Sequence, residues 1–140
     1  MPVCEVSYAE GLFSPKEEKQ IVEKITKLLL KVESLPDNQI SRSICYVNLI
    51  ESKKMYIGGD LSEKGKILVK IYTFHDAFSD NIKKEIYSSV KDIFVEENSF
   101  SKESNGNNIW CIITPIEELN FGVGGIPINL NIVHNLTSKQ

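Results

Sequence analysis

Hydrophobic and polar positions alternate along this chain in two recurring periods. Val3 to Tyr8 is short and rich in strand formers, and Ala9-Glu10-Gly11 then turns the chain. Ser14-Pro15-Lys16-Glu17 carries a cap, a proline at the first helical position and the glutamate of a capping box. Ile21, Ile25, Leu28, Leu29 and Val32 follow at helical spacing, with lysines and glutamates mostly between them. Pro36-Asp37-Asn38 is read as the end of that helix, Ile44 to Ile50 as a second strand, and Met55 to Gly59 as a turn or short hairpin.

The order then repeats. Ile67 to Tyr72 reads as a strand, Ser79-Asp80 as a helix cap, and Ile86, Val90, Ile93 and Phe94 as an apolar helix stripe. The polar stretch Ser99 to Asn108 is a loop, Ile109 to Thr114 a strand, and Phe121 to Gly125 a closing turn. Adding 65 carries Ser14 to Ser79, Ile21 to Ile86, Ile25 to Val90 and Leu29 to Phe94. Adding 66 carries Cys45 to Cys111 and Ile57-Gly58-Gly59 to Val123-Gly124-Gly125. Cap, stripe and Gly-Gly pair recurring together indicate a duplicated β-α-β unit, residues 2–60 and 66–125 of one domain. The expected fold is α/β, a four-stranded mixed sheet with two helices on one face. Strand positions are often apolar on both faces, so the uncovered face calls for other subunits. Ile126, Ile128, Leu130 and Ile132 alternate with Pro127, Asn129 and Asn131, which makes the 126–140 tail an edge strand or an intersubunit strand.

Composition narrows the chemistry. Fifteen lysines stand against one arginine, Arg42, and 19 acidic residues bring the net charge to −3, which argues against a nucleic-acid-binding surface. Lysine lacks the two-pronged geometry that arginine offers a carboxylate, so an anionic substrate must be held by lysine as a point charge, by histidine, by backbone N–H groups or by that single arginine. Three separated cysteines with no CxxC pair argue against zinc and against a disulfide framework. The start lacks the basic and apolar regions of a signal peptide, and no apolar run approaches the ~20 residues of a membrane span; the cytoplasm is expected.

Pro2, the Ala9-Glu10-Gly11 turn, the Ser14-Pro15 helix start and Phe121-Gly122-Val123-Gly124-Gly125 together resemble the tautomerase superfamily, founded on 4-oxalocrotonate tautomerase. Val47-Asn48-Leu49, Tyr56-Ile57-Gly58-Gly59 and Ile109-Trp110 look most like its fused two-unit branch, which includes cis-3-chloroacrylic acid dehalogenase. The resemblance implies a homotrimer, no cofactor and no metal, and a catalytic proline freed by removal of the initiator methionine. The implied reaction is enol–keto isomerisation of a small 2-oxo acid or related enol, with Pro2 as general base and acid. The alternative is a non-catalytic member that binds a small carboxylate or serves as an oligomeric module.

The proline also stands on its own chemistry. At a free N-terminus its nitrogen is a secondary amine, and apolar walls lower the pKa of an amine toward neutrality. Val3, Tyr56, Ile57, Phe121 and Val123 are the expected walls. The equivalent place in the second unit is Ile67, inside the chain, so one site per subunit is expected. The family's other functional groups are absent. Its dehalogenase arginines fall at His75 and Phe78, its helix histidine at Leu29, its water-activating tyrosine at Ile112 and the acidic partner near Val123. The arginines of the simpler tautomerases fall at Leu12, Cys45 and Trp110. Dehalogenation and hydration are therefore disfavoured. His75, Lys70 and Arg42 are the candidate replacements for binding a carboxylate, with Phe121 and Tyr56 as apolar contacts. His134 receives no role.

Overall fold

In the computed structural model, which describes residues 2–138, each half of the chain runs strand, long helix, short helix, strand, hairpin. The first half comprises β1 (Val3–Ala9), α1 (Pro15–Val32), α2 (Gln39–Ser43), β2 (Tyr46–Ser52), β3 (Met55–Ile57) and β4 (Asp60–Ser62). The second comprises β5 (Ile67–Phe74), α3 (Asp80–Glu97), α4 (Ser99–Glu103), β6 (Ile109–Ile116), β7 (Gly122–Val123) and β8 (Ile126–Pro127), and α5 (Leu130–Thr137) closes the chain. The duplication read from sequence is thus a duplication of structure.

The main sheet has the order β2-β1-β5-β6. Pairing within each half is parallel, and the two halves meet antiparallel through β1 and β5. On one face Cys4, Val6, Tyr8, Ile67, Val69 and Ile71 pack against Ile21, Ile25 and Leu29 of α1 and Ile86, Val90 and Phe94 of α3. These are the periodic positions of the sequence, buried because a helix stripe and a strand face have to cover each other. The four-stranded mixed sheet with its two long helices on one face is as expected. The register differs in one detail: Cys4 pairs with Val47 and Val69 with Cys111, so the second strands correspond by 64 residues rather than 66.

Caps set the helix starts. Ser14 and Glu17 form both bonds of the capping box, and the Ser79 hydroxyl accepts from the Ile82 N–H. The two short helices escaped the periodicity because five residues hold no amphipathic repeat. They are announced instead by a second duplicated cap, Asn38 accepting from Ser41 N and Asn98 from Ser101 N. The hydrophobic run of α1 ends at Val32, and Ser34 turns the chain with φ 57° before Pro36 is reached. The Gly-Gly pairs form the tips of the β3–β4 and β7–β8 hairpins, where Gly58, Gly59, Gly124 and Gly125 all have positive φ. Two-residue hairpin turns demand that conformation at both central positions, which glycine adopts without strain.

The tail departs from expectation. Only Ile126–Pro127 is extended, and Leu130–Thr137 is a helix capped by Asn129. The same residues that alternate at period two also place Leu130, Val133 and Thr137 on one helix face, and tertiary packing selects that reading. Val133 packs with Leu30, Leu35 and Phe74, and Ile44, Cys45, Phe121, Ile128 and Leu130 flank this second cluster.

Candidate functional site

Pro2 is buried at the start of β1, and its carbonyl accepts a hydrogen bond from the Tyr46 N–H at 3.1 Å. Val3 pairs with Tyr46 on β2 and with Tyr72 on β5. One step back, the same registers set Pro2 between Cys45 and Thr73, on the helix-covered side that Cys4 and Ile71 share. Because β5 runs antiparallel to β1, this end of the sheet also receives Phe74, His75 and the residues after β6.

The apolar surroundings here come mainly from the second cluster. Phe74 and Phe121 meet edge to face with centroids 5.8 Å apart, and Val133 of α5 packs in the same group. Phe121 therefore lies at the Pro2 end of the sheet. Tyr56 and Ile57 do not. Their hairpin follows Ser52, which pairs with Ala9 at the far end of β1, and both side chains are exposed. Val123 is exposed on the β7–β8 hairpin, and Val3 faces the open side of the sheet.

The candidate cations are dispersed. Lys70 stands at mid-sheet between Glu5 and Ile112, on the face away from the helices. His75 is at the Pro2 end, its N–H donating to the Ile116 carbonyl at 2.7 Å. Its ring lies 3.1 Å from an Asp76 carboxylate oxygen and 3.6 Å from one of Glu117. Two carboxylates beside one imidazole make a poor cradle for a substrate anion. Arg42 is committed elsewhere: NH1 and NH2 donate to the two oxygens of Glu23 at 3.0 Å each, and NH2 and Nε donate to Asp37. This fork ties α1 to α2 and pulls both carboxyls below their ordinary pKa, chiefly through the arginine's hydrogen bonds. The arginine thus serves the scaffold. Leu29 and Phe78, at places where the family resemblance puts histidine and arginine, are buried in the core.

The thiols are quiet. Burial pushes Cys4 and Cys111 up to about 12, and Cys45 up to about 11 with a contribution from the Glu33 carboxylate. Among the described residues no group of three or more metal-ligating side chains comes together. A cleft of about 510 Å³ between α1 and β2 is lined by Pro15, Glu18, Lys19, Val22, Glu23 and Leu49, away from Pro2.

Two residues at the Pro2 end, Glu33 and Thr73, are unmarked in the sequence, and a third, His134, receives no role there. Glu33, 3% exposed after the last turn of α1, accepts from the Thr73 hydroxyl at 3.0 Å. The His134 ring of α5 hydrogen-bonds the Glu33 carbonyl at 3.2 Å. Nothing in the local sequence marks them, since they converge from α1, β5 and α5.

Known structures share this arrangement. A fused 4-OT that forms an asymmetric trimer superposes with a TM-score of 0.72 at 15% identity, covering 89% of this chain and 94% of its own. A macrophage migration inhibitory factor-like protein from Entamoeba histolytica gives 0.68 at 15% identity, covering 91% and 98%. The macrophage migration inhibitory factor of Oncomelania hupensis gives 0.68 at 17% identity, covering 96% and 87%. The chain has the tautomerase-superfamily fold. No protein-family model and no curated protein matches the sequence. Pro2 directly precedes β1, and the face of the sheet away from the helices is uncovered in the single chain. Tyr46, Ile50, Trp110 and Ile112 lie exposed on that face. No helix among the described residues is long and apolar enough to cross a membrane.

Proposed function

We propose that this protein is a cofactor-independent tautomerase that interconverts the enol and keto forms of a small 2-oxo acid or related enol. Pro2, freed by removal of Met1, is the residue that carries the proton. The observation that supports this is the burial of Pro2 at the strand end where Cys45, Thr73, Phe74 and Phe121 converge. There a free ring nitrogen would meet both apolar walls and hydrogen-bonding groups, the setting in which an amine exchanges a proton with carbon near neutral pH. Substrate selection follows from what is missing. With Arg42 bound to Glu23 and Asp37, and His75 flanked by Asp76 and Glu117, dianionic acids are disfavoured against aryl or alkyl enols with at most one carboxylate.

The working form is a homotrimer joined through the open sheet face, in keeping with the trimeric assembly of the fused 4-OT neighbour. Tyr46, Trp110 and Ile112 are 56%, 58% and 47% exposed in the single chain, an apolar face that association would cover. In such an assembly Tyr56, on its protruding hairpin, would serve a neighbour's site, and Lys70 would lie within the interface.

The test pairs intact-mass measurement with an ultraviolet assay of phenylenolpyruvate ketonisation. Protein lacking Met1 accelerates ketonisation above buffer, and Pro2→Ala abolishes the acceleration. Equal rates for Pro2→Ala and wild type refute the proposal. Catalytically silent protein of verified N-terminus that still binds an aryl carboxylate would favour the non-catalytic reading.

A further inference from the structure

We infer that α5 is a lid over the Pro2 end of the sheet, and that it swings away from α2 and the second apolar cluster to admit substrate. Pro2 as the proton carrier is taken from the tautomerase proposal, on which this reading rests, whereas the motion of α5 stands apart from it.

The strand ends place the helix. Val3 pairs with Tyr46 on β2 and Tyr72 on β5, so the next residues outward, Cys45 and Thr73, flank Pro2 across the sheet. Cys45 borders the cluster of Leu30, Leu35, Phe74 and Val133, and Phe74 directly follows Thr73. Val133 is the residue of α5 in that cluster and is 2% exposed, with Ile128 and Leu130 of the same segment bordering it. α5 thus closes the apolar space beside the strand ends that flank Pro2, and Pro2 is buried in this closed arrangement. A proton carrier shut away from solvent needs an entrance for its enol.

The attachment of α5 is that of a flap. The helix has eight residues, too few to persist without neighbours. Its cap moves with it, since Asn129 accepts from the Ile132 N–H at 3.0 Å. The chain is pinned one residue earlier, where the Ile128 N–H donates to the Phe121 carbonyl at 3.0 Å. Beyond that pin the helix is tied by Asn38, whose Nδ2 donates to the Thr137 carbonyl at 3.1 Å, and by the His134 ring, whose Nε2–H donates to the Glu33 carbonyl at 3.2 Å. The Thr137 hydroxyl bonds within its own helix, and Ile132 and Leu136 are exposed, which leaves Val133 as the main buried anchor. Short elements with few buried contacts open before the rest of a fold.

Opening uncovers a space walled by Leu30, Leu35, Phe74 and Phe121. The two rings, edge to face at 5.8 Å, suit the aryl or alkyl group of an enol, which takes the place Val133 leaves. Substrate and closed lid then exclude each other, so apparent affinity scales with the fraction of open lid.

The experiment combines hydrogen exchange in sub-denaturing urea with ketonisation of phenylenolpyruvate, on protein shown by intact mass to lack Met1. Wild type is compared with Asn38→Asp, which keeps the cap on Ser41 and loses the donor to Thr137, with His134→Phe, and with the pair. In wild type the α5 amides should exchange with little dependence on urea, while those of β5 follow global unfolding. Each single variant should speed α5 exchange about fivefold and the pair about 25-fold, one hydrogen bond being lost at each step. KM should fall by the same factors until the lid stands open, with kcat unchanged. Exchange of α5 only together with β5 overturns the inference. So does faster α5 exchange with KM unchanged or raised, which makes the helix a wall of the site. Failure of the tautomerase proposal shows separately, as equal ketonisation by Pro2→Ala and wild type, and the exchange comparison then still decides whether α5 opens on its own.

Discussion

Replacing Asn98 by alanine removes a side chain that joins four parts of the fold. Asn98 is 4% exposed, and its Oδ1 accepts from the N–H of Ser101 at 3.0 Å and from the Ser101 hydroxyl at 3.2 Å. Its Nδ2 donates to the Leu12 carbonyl at 3.3 Å and to Glu17 at 3.0 Å, linking α4 to the turn before α1 and to its capping box. Losing the cap costs about 1–2 kcal/mol. Each further bond with a buried or half-buried partner adds about 1 kcal/mol. The cap and three further bonds together come to about 4–5 kcal/mol. Asn38, the equivalent cap in the first half, provides the internal control. It makes the same cap bond at 2.8 Å and one further bond, to the Thr137 carbonyl at 3.1 Å. Asn38→Ala should therefore cost about 2–3 kcal/mol by the same reckoning. Urea unfolding at one fixed protein concentration measures both, since assembly couples stability to concentration. An Asn98→Ala loss no larger than that of Asn38→Ala would refute the claim that the buried network, rather than the cap alone, holds α4.

Other expectations follow from the remaining contacts. Arg42→Ala should leave KM for a monocarboxylate enol unchanged while flattening the acid limb of stability. Glu23 and Asp37 have depressed pKa values, so their contribution is present above the ordinary carboxylate range and lost as pH falls through the lowered folded values. The cysteines act at the other extreme. With Cys45 raised from 9.0 to about 11, stability should fall as pH climbs above 9, because only the unfolded chain gives up the proton readily. Thiol labelling at pH 7.5 should be slow in folded protein and rapid in urea. Val133→Asp, at a side chain 2% exposed against Leu30, Leu35 and Phe74, should detach α5 and cost about 3 kcal/mol or more, read by unfolding and by faster proteolysis of the tail. Trp110→Lys together with Ile112→Lys should reduce the light-scattering mass of the assembly to that of one chain; an unchanged trimer would place the interface elsewhere.

The sequence by itself determined the parts governed by local periodicity and caps. Ile21, Ile25, Leu28 and Leu29 specify a helix stripe, Ser14 and Glu17 its start, and the Gly-Gly pairs their hairpin tips, because each is a constraint within a few residues. The duplication made the sheet legible as well, since two parallel pairs with one covered face have few ways to join. The short helices stayed hidden because a five-residue helix has no period, and the tail was misread because eight residues fit either period. The site divides along the same line. Pro2 and Phe121 stood out by residue type and by family resemblance, and both lie at the same end of the sheet. Arg42 looked available for a substrate until the fold placed Glu23 and Asp37 around it. Lys70 and Tyr56 looked close to Pro2 until the register set them at mid-sheet and at the far end. Glu33, Thr73 and His134 carry no sequence signal at all. They come from positions 33, 73 and 134 and meet only because the antiparallel junction of β1 and β5 brings the start of one half beside the end of a strand in the other. Contacts across such a junction depend on strand register, and register is decided by the packing of the whole sheet against its helices.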